Sequence, residues 1–175
     1  MLTGQYSLSK AQKNFIIDKT DHYVRLANAR MGLNLMSIDV LFDLKGKSSG
    51  MFVVSRGKAC IRYNEIIFSQ YYEDSLVNTV AHEVAHYVVY SKWFGKRVKP
   101  HGAEWKSVMD LYGVKPEVTS NYDVKDLPLR QQARHEYVCA CMIHKLTTTR
   151  HNKIKKNVAT YHCKKCKQPL RYNFK

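Results

Sequence analysis

Apolar residues recur at helical spacing through Phe15, Ile16, Tyr23, Val24, Ala27 and Met31. With Ser7 or Ser9 at the start and Gly32 at the end, the pattern predicts an amphipathic helix packed on a core. The period then changes. SIDVLFDL (37–44) alternates apolar with polar residues, and MFVVS (51–55) and ACIRYNEIIF (59–68) follow the turn-like segments KGKSSG and RGK. These stretches predict a small, mostly antiparallel sheet. Beyond Asn64, an aromatic connector, FSQYY, leads to the most strongly patterned stretch of the chain.

That stretch, SLVNTVAHEVAHYVVYSKW (75–93), reads as one helix. Asp74 or Ser75 is placed to cap it, Gly95 lies just past its end, and it contains no Gly or Pro. Leu76, Val77, Val80, Val84, Ala85, Val88 and Val89 surround most of its circumference, so the helix is expected to be buried on several sides. His82 and His86 are four apart and share a face, where two imidazoles can converge on one cation. Glu83 lies one step round, where a carboxylate can take a proton from a metal-bound water. Without such a role, two imidazoles and a carboxylate on a buried helix are costly.

Catalytic zinc commonly has three protein ligands and one open position. His101, fifteen residues after His86 and beyond the basic loop KRVKP, is the leading third ligand, and Glu104 is its competitor. His101 precedes a second helical stretch, GAEWKSVMDLYG. Pro100 favours an extended entry, and Gly102 permits close backbone approach.

A chain of 175 residues accommodates one ordinary domain and a small appendage. Val114 to Gln132, with Pro116 and Pro128, reads as the connection. The expected division is therefore a domain over 1–130 and a subdomain over 131–175. The net charge of +15 is concentrated at one end: from Arg130 to Lys175 there are twelve basic residues and one acidic. Such asymmetry predicts a polyanionic partner, nucleic acid before a membrane surface. No run approaches 18 apolar residues, and MLTGQYSLSK has no apolar signal core, so the expected compartment is the cytoplasm, without membrane association.

In that compartment five cysteines point to metal rather than disulfides, with Cys60 as a small core residue. Cys139 and Cys141 precede the CxxC pair Cys163 and Cys166, a zinc-ribbon pattern able to clamp one tetrahedral Zn²⁺. The first half is irregular, and a set in which His144 replaces Cys139 or Cys141 stays open. Between the halves, RHNKIKK reads as a basic hairpin. Arg150, Lys153, Lys155, Lys156, Lys164, Lys165 and Arg171 interleave with Tyr161, Tyr172 and Phe174. Such residues can follow phosphates and stack exposed bases of single-stranded or frayed nucleic acid.

HEVAH, the later HGAEW, and the ribbon from YVCACMIHKLTTTRHN to YHCKKCKQPL together closely resemble the bacterial SprT proteins, relatives of the eukaryotic Spartan proteases. The resemblance runs from about Ser48 onward. It implies an α+β, zincin-like metalloprotease domain with an HExxH helix, followed by a C-terminal zinc ribbon. Residue by residue, it implies His82, His86 and His101 as ligands of a catalytic zinc and Glu83 as the base. Cleavage of DNA-crosslinked proteins is what the Spartan relatives add, although no long recruitment tail of the Spartan type is visible here. The expected function is a zinc endopeptidase acting on DNA-associated proteins, with one catalytic and one structural Zn²⁺ and a bacterial, nucleoid-associated setting. The competing expectations are a DNA-associated regulator whose zinc sites are structural, and a small basic RNA-binding or ribosome-associated protein.

Overall fold

The computed structural model describes residues 6–130 and 133–173, so Phe174 lies outside the described residues. The chain divides into two compact units, residues 1–129 and 130–175. Both are mixed α and β, and each contains one small three-stranded sheet.

Helix α1 (Lys10–Met31) begins at a capping box, with the Ser9 hydroxyl accepting from the Gln12 amide and the Gln12 side chain accepting from the Ser9 amide. It ends on Gly32, whose left-handed backbone (φ 63°) suits a residue without Cβ. Ile16, Thr20, Tyr23, Val24 and Ala27 are its buried residues. The sheet that follows has β1 (Asp39–Leu41), β2 (Gly50–Ser55) and β3 (Lys58–Tyr63) in the order β1-β3-β2. The β2–β3 hairpin is antiparallel, whereas β1 pairs parallel to β3, with Val40 opposite Ile61. β2 is consequently an edge strand.

The strand expected over ACIRYNEIIF stops at Tyr63. Asn64 ends it by accepting from the Ile66 amide, which caps α2 (Glu65–Gln70), and by donating from Nδ2 to the Gly46 carbonyl. The apolar run Ile66, Ile67, Phe68 is helical because this Asx cap supplies the first turn with an acceptor that a strand would not use. After Tyr71, α3 (Tyr72–Asp74) passes through a π-helical turn (Ser75–Thr79) directly into α4 (Val80–Lys92).

Neither Asp74 nor Ser75 caps this helix, because both already have helical backbone. Asp74 instead accepts from Asn78 Nδ2 at 2.7 Å and from the Tyr122 hydroxyl at 2.5 Å. The π turn places one extra residue in the helix just ahead of HEVAH, a distortion frequent beside functional sites.

α4 is the central element of the first unit. Val80, Ala81, Val84, Ala85 and Val88 are fully buried among α1, the sheet and α5 (Ala103–Leu111). Tyr63 and Phe68 pack ring to ring at 4.8 Å, and the Tyr63 hydroxyl meets Thr20 Oγ1 at 3.1 Å.

In the second unit, β4 (Arg134–Val138), β5 (Ile143–Thr147) and β6 (Arg171–Tyr172) form an antiparallel sheet in the order β5-β4-β6. Its core consists of Tyr137, Leu146, Cys163 and Leu170. The basic hairpin expected at RHNKIKK is instead part of α6 (Thr148–Lys155). Thr147 caps this helix by accepting from the Arg150 amide, and Asn157, at φ 54°, follows its end. The segment contains no glycine to form a tight hairpin turn, and the Thr cap favours a helix. Among the described residues, no helix is long and apolar enough to cross a membrane.

Because Asn64 both caps α2 and satisfies the Gly46 carbonyl, Asn64→Ala is expected to lower unfolding free energy by about 1–3 kcal/mol. A denaturant midpoint unchanged from the parent would contradict that role.

Candidate metal centres

Helical spacing puts the His82 and His86 rings 4.9 Å apart on one side of α4. His101, in the turn before α5, completes a triangle: its Nε2 and that of His86 each lie 3.1 Å from His82 Nε2. A tetrahedral zinc with bonds of about 2.0–2.1 Å would separate its ligand nitrogens by about 3.3 Å, so the trio fits one such ion. Glu104, the competitor for third ligand, is not part of this converging group.

The imidazoles are held neutral, as metal ligation requires. Burial, then repulsion from His101, pushes His82 down to about 4, against the opposing hydrogen bond to the Glu117 backbone carbonyl. Burial, then repulsion from His82 and His101, pushes His86 down to about 3, and burial lowers His101.

Trp105, fully buried on α5, packs against all three rings, at 4.8 Å from His82, 5.8 Å from His86 and 4.8 Å from His101. Its indole N–H points to the His82 carbonyl at 3.4 Å.

Glu83 is buried, and its Oε2 accepts from the Phe52 amide of β2 at 2.7 Å. Burial raises its pKa to about 7, opposed by that amide. The carboxyl fits against β2 only because residue 50 is glycine. A Cβ there would fall 2.6 Å from Glu83 Cγ and 2.9 Å from Thr79 Cγ2. Between β2 and the trio lies a cleft of about 350 Å³, and beyond Glu83 a larger cavity of about 620 Å³ extends under residues 115–122.

In the second unit, Cys139, Cys141, Cys163 and Cys166 bring four sulfurs within 4.8 Å of one another. Cys141 Sγ is 3.5 Å from Cys139 Sγ and 3.7 Å from Cys163 Sγ. Zinc with Zn–S bonds of about 2.3 Å would separate its sulfurs by about 3.8 Å. His144 lies outside this group, with Nε2 3.2 Å from Cys139 Sγ. There it can donate to a thiolate, the usual position of a group supporting a ligand.

Residues 18–126 match the family described as SprT-like. The chain is 36% identical to Protein SprT of Vibrio parahaemolyticus over 76% of this chain and 77% of the relative. It is 35% identical to Protein SprT of Pasteurella multocida, over 87% and 88%, and 32% identical to that of Vibrio atlanticus, over 92% and 93%. No solved structure matches it.

The chain belongs to the SprT-like family.

Four parts of this SprT-like site were not singled out by sequence pattern as site components: Trp105, Gly50, the Phe52 amide and the Glu117 carbonyl. The last two are backbone groups, on which side-chain identity leaves no mark. Trp105 carried a signal in its spacing, four residues after His101, and Gly50 in ending a turn directly before a strand pattern.

The described basic residues of the second unit are on its surface. Arg150, Lys153 and Lys155 are exposed on α6 and Lys156 follows it, while Lys164 and Lys165 are exposed between Cys163 and Cys166. Arg171 and Tyr172 form β6. Tyr161 is half-buried beneath the Arg150 guanidinium, 5.5 Å from its ring centre, and Tyr172 packs 5.3 Å from Tyr137.

The zinc-saturated chain is expected to carry about two ions, with His101→Ala and Cys163→Ser each retaining about one. Plasma mass spectrometry of the dialysed proteins measures this, and a count unchanged by either substitution would contradict the corresponding site.

Proposed function

We propose that this SprT-like protein is a zinc-dependent endopeptidase of the HExxH type, with a zincin-like catalytic unit, acting on proteins bound or crosslinked to DNA. In this reading the second unit is a zinc ribbon that holds nucleic acid, single-stranded or frayed, in a cytoplasmic, nucleoid-associated setting. The observation that carries the reading is three neutral, converging imidazoles beside a buried carboxyl, in a cleft whose opposite wall is a strand edge.

Zinc bound at the trio would supply Lewis acidity, lowering the pKa of a water and polarising a peptide carbonyl. His82, His86 and His101 would hold that ion. The Phe52 amide fixes Glu83 through Oε2, and Oε1 is left to take a proton from a water in the cleft. As the hydroxyl adds to the carbonyl and the C–N bond breaks, Glu83 returns the proton to the departing amine. Trp105 and the Glu117 carbonyl keep the His82 ring oriented.

Support for a polyanion partner comes from the exposed cations of α6 and of the Cys163–Cys166 knuckle, on a unit with twelve basic residues and one acidic. Phosphate contacts of this kind are independent of sequence.

Glu83→Gln is expected to keep zinc while slowing cleavage of a protein crosslinked to single-stranded DNA by about 10²–10⁴-fold. Equal cleavage by parent and variant would remove Glu83 as the base, and binding of the crosslinked substrate with no cleavage by either would favour the non-proteolytic regulator instead. Replacing Lys153, Lys155 and Lys156 together by Gln is expected to reduce the slope of log affinity against log salt by about 2 on single strands. An unchanged slope in a fluorescence titration would remove α6 from the nucleic-acid surface.

A further inference from the structure

The cleft over the metal trio has β2 as one wall, and from Phe52 in that wall a continuous set of ring contacts leads away from it. Phe52 packs against Tyr87 at 6.0 Å and Tyr90 at 5.6 Å, and Tyr90 packs edge-on against Phe94 at 5.4 Å. Tyr90 is 38% exposed and Phe94 71% exposed, so this set of rings reaches from the cleft wall into solvent. We propose that Phe52, Tyr90 and Phe94 form the recognition surface for an apolar side chain of the substrate polypeptide, on the amino-terminal side of the bond that is cut. The proposal rests on the proteolytic reading of the trio and Glu83.

The occupant follows from the strand edge. Ser49 accepts from the Asn64 amide on the β3 side, and the β2–β3 register pairs Met51 with Arg62 and Val53 with Cys60. Alternation in an antiparallel ladder turns the backbone groups of Gly50, Phe52 and Val54 to the other side, and the Phe52 amide points there to Glu83. The carbonyls of all three, and the amides of Gly50 and Val54, therefore face the cleft as a template for one added extended chain. Such a chain passes directly over His82, His86 and His101, which line the same cleft as Gly50 and Phe52.

Direction follows from the helix beneath. Gly50 lies beside Thr79 and Glu83 near the start of α4, and Phe52 beside Tyr87 and Tyr90 further along, so β2 and α4 advance together. A peptide added antiparallel, the more stable pairing, runs against both. Its carboxyl-terminal part enters the cavity beside Thr79, where Asp74, Asn78 and Tyr122 present hydrogen-bonded polar groups. Its amino-terminal part lies over Tyr90 and Phe94. The cavity downstream of the cut is mixed, with Met109 and Val118 beside Asp74, Asn78 and Tyr122, whereas the upstream wall is aromatic, and that exposed aromatic wall selects for an apolar upstream residue.

The test uses full-length, zinc-loaded Glu83→Gln protein and labelled peptides of Ser, Gly and Ala carrying a single Phe or, at the same position, Ser. Fluorescence anisotropy is expected to show the Phe peptide bound about tenfold more tightly. Adding Tyr90→Ser and Phe94→Ser should remove that preference without lowering the melting temperature by more than a few degrees. Equal affinity for the two peptides, or a preference that survives both substitutions, overturns the proposal.

Products of the Phe peptide with the Glu83 form, mapped by mass spectrometry, should carry Phe on the amino-terminal fragment. Phe on the carboxyl-terminal fragment overturns the assigned direction. If nothing is cut but the Phe preference and its loss both appear, the aromatic surface stands and the proteolytic reading fails.

Discussion

Three imidazole nitrogens, none of them ion-paired among the described residues, approach within hydrogen-bonding distance beside a largely apolar core. Burial denies them protons, so their lone pairs are best satisfied by a shared cation. Much of the first unit serves this convergence. α4 is wrapped by α1, the sheet and α5, which fixes the rotation of its His82–His86 face. The turn ending at Gly102 brings His101 back over that face, and Trp105 fills the space behind the three rings. Glu83 is tied to the same arrangement from the opposite side, by an edge-strand amide and a glycine that leaves room for its side chain.

Much of this was legible in the sequence. The i, i+4 histidines, the glycine just beyond the helix end and Ser9, one of the two serines that could start α1, are local features whose residue types specify their geometry. What escaped was non-local or carried by the backbone. Gly50 reads as part of a turn until Glu83 and Thr79 are seen against it. The passage after Val114, which reads as a connection, supplies the Glu117 carbonyl that His82 contacts and the Tyr122 hydroxyl that bonds Asp74. Two segments changed class for a common reason. At Asn64 and at Thr147, a single capping side chain outweighed the local strand or hairpin signal and started a helix.

The second unit depends on a different balance. Among the described residues of this unit four are buried, one of them a cysteine, a small core for a segment of this size, so a metal ion held by Cys139, Cys141, Cys163 and Cys166 would supply folding free energy that burial alone does not. The lysines between Cys163 and Cys166 are then held outward by the same knuckle that fixes the sulfurs. Fold and charge display in this unit therefore have one origin.

Zinc K-edge X-ray absorption on the zinc-saturated protein separates a histidine-held ion from a cysteine-held one. Two populations of scatterers are expected: nitrogen and oxygen at about 2.0–2.1 Å with the outer-shell pattern of several imidazoles, and sulfur at about 2.3 Å. A spectrum fitted by sulfur alone, at full zinc occupancy, would contradict a metal ion held by His82, His86 and His101.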